Sequence, residues 1–98
     1  MKTDSDKKII IKPLALRYLF RIYKELGEEK LKQIVEISKE IAIQEKHYEI
    51  RANTVRKAVS RLTNKSLDEV KKKFFPLKIP KSEIKDFTNK IYNLINKK

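Results

Sequence analysis

The chain has little of what builds covalent frameworks, catalytic centres and tight turns. Its 98 residues include no cysteine, no tryptophan and a single glycine. The lack of cysteine excludes disulfide bonds, thiolate metal sites and a cysteine nucleophile. With Gly27 alone, no phosphate-binding glycine loop can be assembled. No nucleophile has a base at a suitable spacing and no metal-ligand set is present, so we predict no enzymatic activity, no metal and no cofactor.

Long apolar stretches are also missing. Apolar runs such as Ile9 to Ile11 and Leu14 to Leu16 fall far short of the roughly 18 residues that a membrane helix needs. The first residues mix both charges and precede no apolar stretch as long as that of a signal peptide, which argues against such a segment. We therefore expect a soluble cytoplasmic protein that forms one domain over residues 1–98, with flexible ends at 1–7 and 97–98.

Positive charge is what the chain has in excess, because 25 Lys and Arg stand against 13 Asp and Glu, a net charge of +12. Such an excess favours polyanionic partners, since each neutralised phosphate releases counterions. The excess is uneven. Residues 49–65 carry +4 and include three of the five arginines, Arg51, Arg56 and Arg61. The planar fork of arginine matches phosphates and guanine edges, so this segment is the most informative one.

Apolar periodicity predicts an all-α protein, a compact bundle of about five helices with a helix-turn-helix-like core. A short extended segment, 7–12, precedes the first helix. Gly27 is expected to end helix 1 as a left-handed cap, Asn53 to be the N-cap of helix 3, and Ser66 and Glu69 to form a capping box that opens helix 4. The predicted helices are 13–26, 28–47, 54–64, 67–75 and 81–96, with a loop over 48–52.

The start of helix 3 is physically unusual. Cations in a first helical turn are disfavoured by the helix dipole, yet Arg56 and Lys57 lie there with Arg51 just before them, and no acid stands inside the helix to compensate. An arriving polyanion would satisfy these side chains. The predicted nucleic-acid-binding residues are Arg51, Asn53, Thr54, Arg56, Lys57, Ser60, Arg61, Asn64 and Lys65, with secondary phosphate contacts from Lys71, Lys72 and Lys73.

Residues 30–63 resemble a known family. The run Thr54-Val55-Arg56-Lys57-Ala58-Val59-Ser60-Arg61-Leu62, preceded by Lys39-Glu40-Ile41-Ala42, is similar to the recognition half of GntR-type winged-helix repressors. The resemblance implies that helix 3 lies in the DNA major groove and that Thr54, Arg56, Lys57, Ser60 and Arg61 read the site. The connection before Val55 is about three residues longer than in that family, and 64–73 has the pattern of a turn and a helix instead of a two-stranded wing.

These patterns lead to a nucleoid-associated protein that binds double-stranded DNA, as a transcriptional regulator or as an architectural protein. The apolar stripe of helix 81–96 predicts a homodimer. The alternative is a helical interaction module, such as an accessory subunit of a larger replication or transcription complex. Ile37 and Ile43, which lie off the main stripe of helix 2, and the apolar run Phe74 to Leu77 support that alternative. For the basic face of helix 3, an ordinary solvated surface also stays open.

Overall fold

A computed structural model describes residues 8–96, so the ends that we predicted to be flexible, 1–7 and 97–98, lie outside the described residues. Within that range the chain forms five helices and two short strands. The prediction of a mostly helical fold with about five helices is confirmed. The elements are β1 Ile10–Ile11, α1 Pro13–Leu26, α2 Glu28–Gln44, β2 Glu49–Ile50, α3 Ala52–Thr63, α4 Leu67–Lys73 and α5 Lys81–Asn96.

The bounds of α1 follow from its flanking residues. Pro13 is the first helical residue, where the N–H that proline lacks would have no intrahelical partner. At the other end the Gly27 N–H donates to the Tyr23 carbonyl at 3.1 Å. Gly27 has φ 90° and ψ 177°, so it is not the left-handed cap that we predicted. Its conformation is essentially restricted to glycine, and it links α1 directly to α2.

Helix α2 is continuous but shorter than predicted, because it ends at Gln44 and not at His47. The chain leaves the helix through Lys46 and Tyr48, which have φ 61° and 53°. Ile37 and Ile43 are half-buried and pack against the core, so they do not form the second, free apolar face that we considered. The buried side of α2 is the predicted stripe of Leu31, Ile34, Val35, Ser38, Ile41 and Ala42.

The predicted N-terminal extended segment contains β1, whose partner was not predicted. Strand β2 lies in the connection that we expected to be a loop, and it pairs with β1 in parallel, Ile10 opposite Glu49 and Ile11 opposite Ile50. Helix α5 contacts the outer edge of β1, because the Ile11 N–H donates to the Tyr92 hydroxyl at 3.2 Å. Strand β1 precedes α1 and β2 follows α2, so the strand pair connects the two ends of this helical hairpin to each other and, through β1, to α5.

The core is formed mainly by α1, α2 and α3, and α5 packs against it. Phe20 and Phe87 meet edge to face, with ring centroids 5.1 Å apart. Phe87, Ile91 and Ile95 are buried within the chain, while Ile84, on the same predicted stripe, is exposed. The homodimer through helix 81–96 stays a prediction, but most of the stripe that motivated it is already covered. No helix among residues 8–96 is long and apolar enough to cross a membrane.

Helix α4 begins at the predicted capping box. The Glu69 N–H donates to the Ser66 hydroxyl at 3.2 Å, and the Ser66 N–H donates to the Glu69 carboxylate at 3.3 Å. The helix ends at Lys73, earlier than Pro76 alone would require. Val70 and Phe74 are buried, whereas Leu67 is exposed.

Candidate nucleic-acid interface

Helix α3 begins two residues earlier than predicted, and this changes the roles of its first residues. Arg51 is the N-cap and α3 starts at Ala52, so Asn53 is not the N-cap. The Thr54 hydroxyl accepts the Arg51 N–H at 3.1 Å, which satisfies the amide that precedes the helix. Thr54 is only 3% exposed. The prediction that Thr54 lies on the exposed face is therefore wrong, while Asn53 is exposed in the first turn.

Arg56 connects α3 to α1. Its guanidinium donates from Nε and Nη2 to the Tyr18 hydroxyl, at 3.1 and 2.7 Å, and its Cζ lies 5.0 Å from the centroid of the same ring. Tyr18 is 4% exposed, and its hydroxyl therefore depends on a partner inside the protein. The half-buried Arg56 supplies that partner, which gives it a structural role that sequence reasoning missed.

Lys57 and Arg51 are neutralised by acids from the connection between α2 and α3. Lys57 Nζ lies 2.7 Å from Glu45, and Arg51 Nε lies 2.8 Å from Glu49. The hydrogen bonds from Lys57, first, and from His47 lower the pKa of Glu45 below its ordinary value. The hydrogen bond from Arg51 is the largest cause that lowers the pKa of Glu49. The helix contains no compensating acid, as the sequence indicates, but the preceding connection provides two.

His47 holds this connection in place. Its Nε2 lies 2.8 Å from Glu45 Oε1, and its Nδ1 accepts the Glu49 N–H at 3.1 Å. Because Nδ1 accepts, a neutral ring carries its proton on Nε2 and donates it to Glu45. His47 thus links the two acids that face the start of α3.

The C-terminal end of α3 is different, because its cations have no ion-pair partner among residues 8–96. Asn64, with φ 59° and ψ 34°, ends the helix in the left-handed conformation. The Ser60 hydroxyl donates to the Lys65 carbonyl, so its proton is already engaged within the protein. Arg61 and Asn64 are exposed and Lys65 is half-buried. Within residues 8–96 the side chains of these three make no hydrogen bond or ion pair.

The cations of α4 and of the connection to α5 also have no ion-pair partner among residues 8–96. Residues 61–81, which we name the basic segment, contain seven basic and two acidic side chains. Every ion pair between described residues joins side chains outside this segment. Lys71, Lys72 and Lys73 are exposed in the last turn of α4, where the helix dipole favours cations.

Lys78 and Lys81 also belong to the basic segment, and we did not single them out from the sequence. The signal was present: no acidic residue lies between Glu69 and Glu83, while five lysines do. All five are exposed.

The described residues contain no cluster of His, Cys, Asp or Glu that could hold a metal ion. Comparison of the chain with protein-family models, with curated proteins and with solved structures finds no match. The resemblance of residues 30–63 to GntR-type repressors therefore stays a prediction.

Proposed function

We propose that the protein binds double-stranded DNA through the basic segment, as a nucleoid-associated protein of regulatory or architectural type. The observation that carries this proposal is the contrast in pairing along the chain. Cations at the start of α3 have partners within the protein, whereas none of the seven between Arg61 and Lys81 has an ion-pair partner among residues 8–96. Unpaired, exposed cations gain most from a phosphate backbone, since no internal ion pair is given up.

The composition of the basic segment favours phosphate contacts over base readout. Six of its seven cations are lysines, which bind phosphate as point charges, and Arg61 is its one arginine. Arg61 and the nearby Asn64 have the side chains that pair with guanine and adenine edges. If α3 enters the major groove, its C-terminal end is thus the part that reads bases. We expect binding to many sequences with a modest preference, closer to an architectural protein than to a stringent repressor.

The alternative function, a protein-interaction module, is less well supported. One of the two sequence features that favoured it is not a free surface in the structure. Ile37 and Ile43 are half-buried against the core of the protein itself. The other feature, the run Phe74 to Leu77, contains one exposed ring, Phe75. Because lysines surround this ring in the sequence, we interpret it as part of the nucleic-acid-binding surface.

The test compares two triple variants that remove the same charge. Lys71→Gln with Lys72→Gln and Lys73→Gln takes three unpaired cations from the basic segment. The control, Lys12→Gln with Lys24→Gln and Lys32→Gln, takes three cations that have acidic partners at 3.6 to 3.8 Å. Binding of a labelled duplex is measured by fluorescence anisotropy over a series of salt concentrations. The slope of log K against log salt is negative for binding to phosphates. It should become shallower by about 0.9 for each phosphate that the first variant no longer neutralises.

The control should keep most of the wild-type slope, because its lysines neutralise acids of the protein. Circular dichroism checks that α4 stays folded in the first variant. The proposal is wrong if the wild type does not bind duplex DNA at low salt, or if both variants change the slope equally.

A further inference from the structure

One aromatic ring is placed differently from all the others. The chain has four phenylalanines and four tyrosines, all of them within the described residues. Seven of these rings are buried or half-buried, whereas Phe75 is 56% exposed. Among residues 8–96 no ring and no cation stacks on it, and ring and cation contacts are instead made by other aromatic side chains such as Tyr18, Phe20 and Phe87. Both faces of the Phe75 ring are therefore free of such partners.

The backbone that carries this ring is anchored on both sides. Phe74 is 4% exposed and Ile79 is 6% exposed, so the connection is pinned into the core before and after Phe75. Between them the Leu77 N–H donates to the Arg17 carbonyl of α1 at 3.3 Å. Pro76 fixes its own φ and restricts the residue before it to extended conformations. Holding Phe75 in place for a ligand would therefore cost little backbone entropy.

The charges next to the ring have one sign. Lys71, Lys72 and Lys73 precede it, Lys78 follows it, and all four are exposed without ion pairs within the described residues. A free aromatic face combined with a tract of cations is the arrangement that binds unpaired nucleotides, because bases stack on the ring while lysines neutralise the phosphates. A fully paired duplex uses the lysines but offers no base face to the ring.

We propose that Phe75 stacks on an unpaired base, so that the protein prefers DNA with single-stranded or locally opened bases over fully paired DNA of equal phosphate number. This inference rests on the proposed function, since the lysines of the basic segment must hold the backbone for the ring to reach a base. It adds to duplex binding a preference for DNA in which base stacking is interrupted.

The experiment uses probes with matched numbers of phosphates: a paired duplex, a duplex with a central bulge, and a single strand. Wild type should bind the bulged and single-stranded probes more tightly than the paired duplex. Phe75→Ala should weaken binding to the two unpaired probes by about 5- to 150-fold, the range measured for loss of one stacked base, and to the paired duplex by less than about twofold. Phe75→Trp should retain the preference. Leu14→Ala, at an exposed apolar side chain of α1 outside the basic segment, is the matched control and should change nothing.

A fluorescent base analogue in the bulge gives a direct readout, because stacking on Phe75 should change its emission in wild type and not in Phe75→Ala. Equal loss of affinity for all probes in Phe75→Ala would overturn the inference and leave the proposed function intact, since the ring would then contact paired DNA. Unchanged binding in Phe75→Ala would overturn it in the same way. No DNA binding by the wild type, with binding to phosphatidylglycerol vesicles that Phe75→Ala weakens, would overturn both the inference and the proposed function.

Discussion

The start of α3 and the basic segment that begins near its end carry similar cations in different situations. At the start, Arg56 donates to Tyr18, Lys57 lies 2.7 Å from Glu45 and Arg51 lies 2.8 Å from Glu49. In the basic segment, residues 61–81, none of the seven cations has an ion-pair partner within residues 8–96. Charge density along a sequence therefore does not tell which cations are available to a ligand. What decides is whether the fold brings acids or hydroxyls to them.

The largest effect that we expect concerns Arg56, and it tests whether the start of α3 is held by the protein. Tyr18→Phe removes the hydroxyl that accepts both hydrogen bonds from the guanidinium. Hydrogen bonds to charged groups contribute about 1.5 to 3 kcal/mol, so the free energy of unfolding should fall by about 2 kcal/mol, measured by urea denaturation.

Tyr92→Phe is the matched control, since its hydroxyl accepts one neutral backbone N–H at 3.2 Å. The expected loss there is about 1 kcal/mol or less. Equal losses in the two variants would mean that Arg56 is not held more firmly than an ordinary donor, and Arg56 would again be a candidate for binding phosphate.

The second prediction concerns the cations at the start of α3, which lose their acidic partners and become unpaired like those at its C-terminal end. Glu45→Gln with Glu49→Gln removes the charges that neutralise Lys57 and Arg51, while the amide oxygens can still accept hydrogen bonds. Two additional cations then become available, and the slope of log K against log salt for duplex DNA should steepen by about 1 to 2.

Glu36→Gln with Glu40→Gln provides the control with the same change of net charge. Both residues are exposed on α2 and have no ion-pair partner among residues 8–96. Their loss should raise affinity only through long-range attraction, with little change in slope. The same steepening in both double variants would show that net charge, and not the pairing of individual cations, controls binding.

Much of the fold could be predicted because its signals are local. Pro13 and Gly27 bound α1, and the capping box at Ser66 begins α4. The β1–β2 pair was missed because each strand has only two residues, and its partners, Ile10 and Glu49, are far apart in the chain.

The candidate site was harder to predict than the fold, for the same reason. Tyr18 and Arg56 meet across two helices, a contact that no local pattern indicates. Thr54 lies four residues before the buried Ala58, a spacing that places both on one face of a helix. Helix α3 begins at Ala52 and uses the Thr54 hydroxyl to cap it. The basic segment, in contrast, could be predicted in part from sequence, because no acidic residue lies between Glu69 and Glu83.

The third prediction concerns the connection that brings Glu45 and Glu49 to the start of α3. It contains two residues in the left-handed region, Lys46 and Tyr48, although neither is glycine. Left-handed backbone costs a residue with a side chain about 1 to 2 kcal/mol, and substitution by glycine removes this cost. The greater flexibility of glycine in the unfolded chain offsets part of the stability gained in this way. Lys46→Gly should therefore raise the free energy of unfolding by about 0.5 to 1 kcal/mol.

Gln44→Gly, at the helical end of α2, is the matched control and should lower stability by about 1 kcal/mol. Neither variant should alter the salt dependence of DNA binding if the start of α3 is not the contact surface. A loss of stability in Lys46→Gly would mean that Lys46 does not hold a left-handed conformation in solution.

The smallest expected effect is the pH dependence that the Glu45 pair gives to stability. Because hydrogen bonds from Lys57 and then His47 lower the pKa of Glu45 in the folded protein, ionised Glu45 stabilises the fold above its ordinary pKa of 4.5. That contribution is lost as pH falls from 4.5 through the lower folded value. Glu45 is more than a third exposed, so solvent screening limits the effect to about 0.5 kcal/mol. Unfolding of wild type and Glu45→Gln should thus differ at neutral pH and converge in acid, and Lys57→Gln, which removes the largest cause, should abolish most of that convergence. If the difference in unfolding free energy stays constant down to acid pH, the Lys57 ammonium does not pair with Glu45. Lys57 would then be available to phosphate in the same way as the unpaired cations of the basic segment.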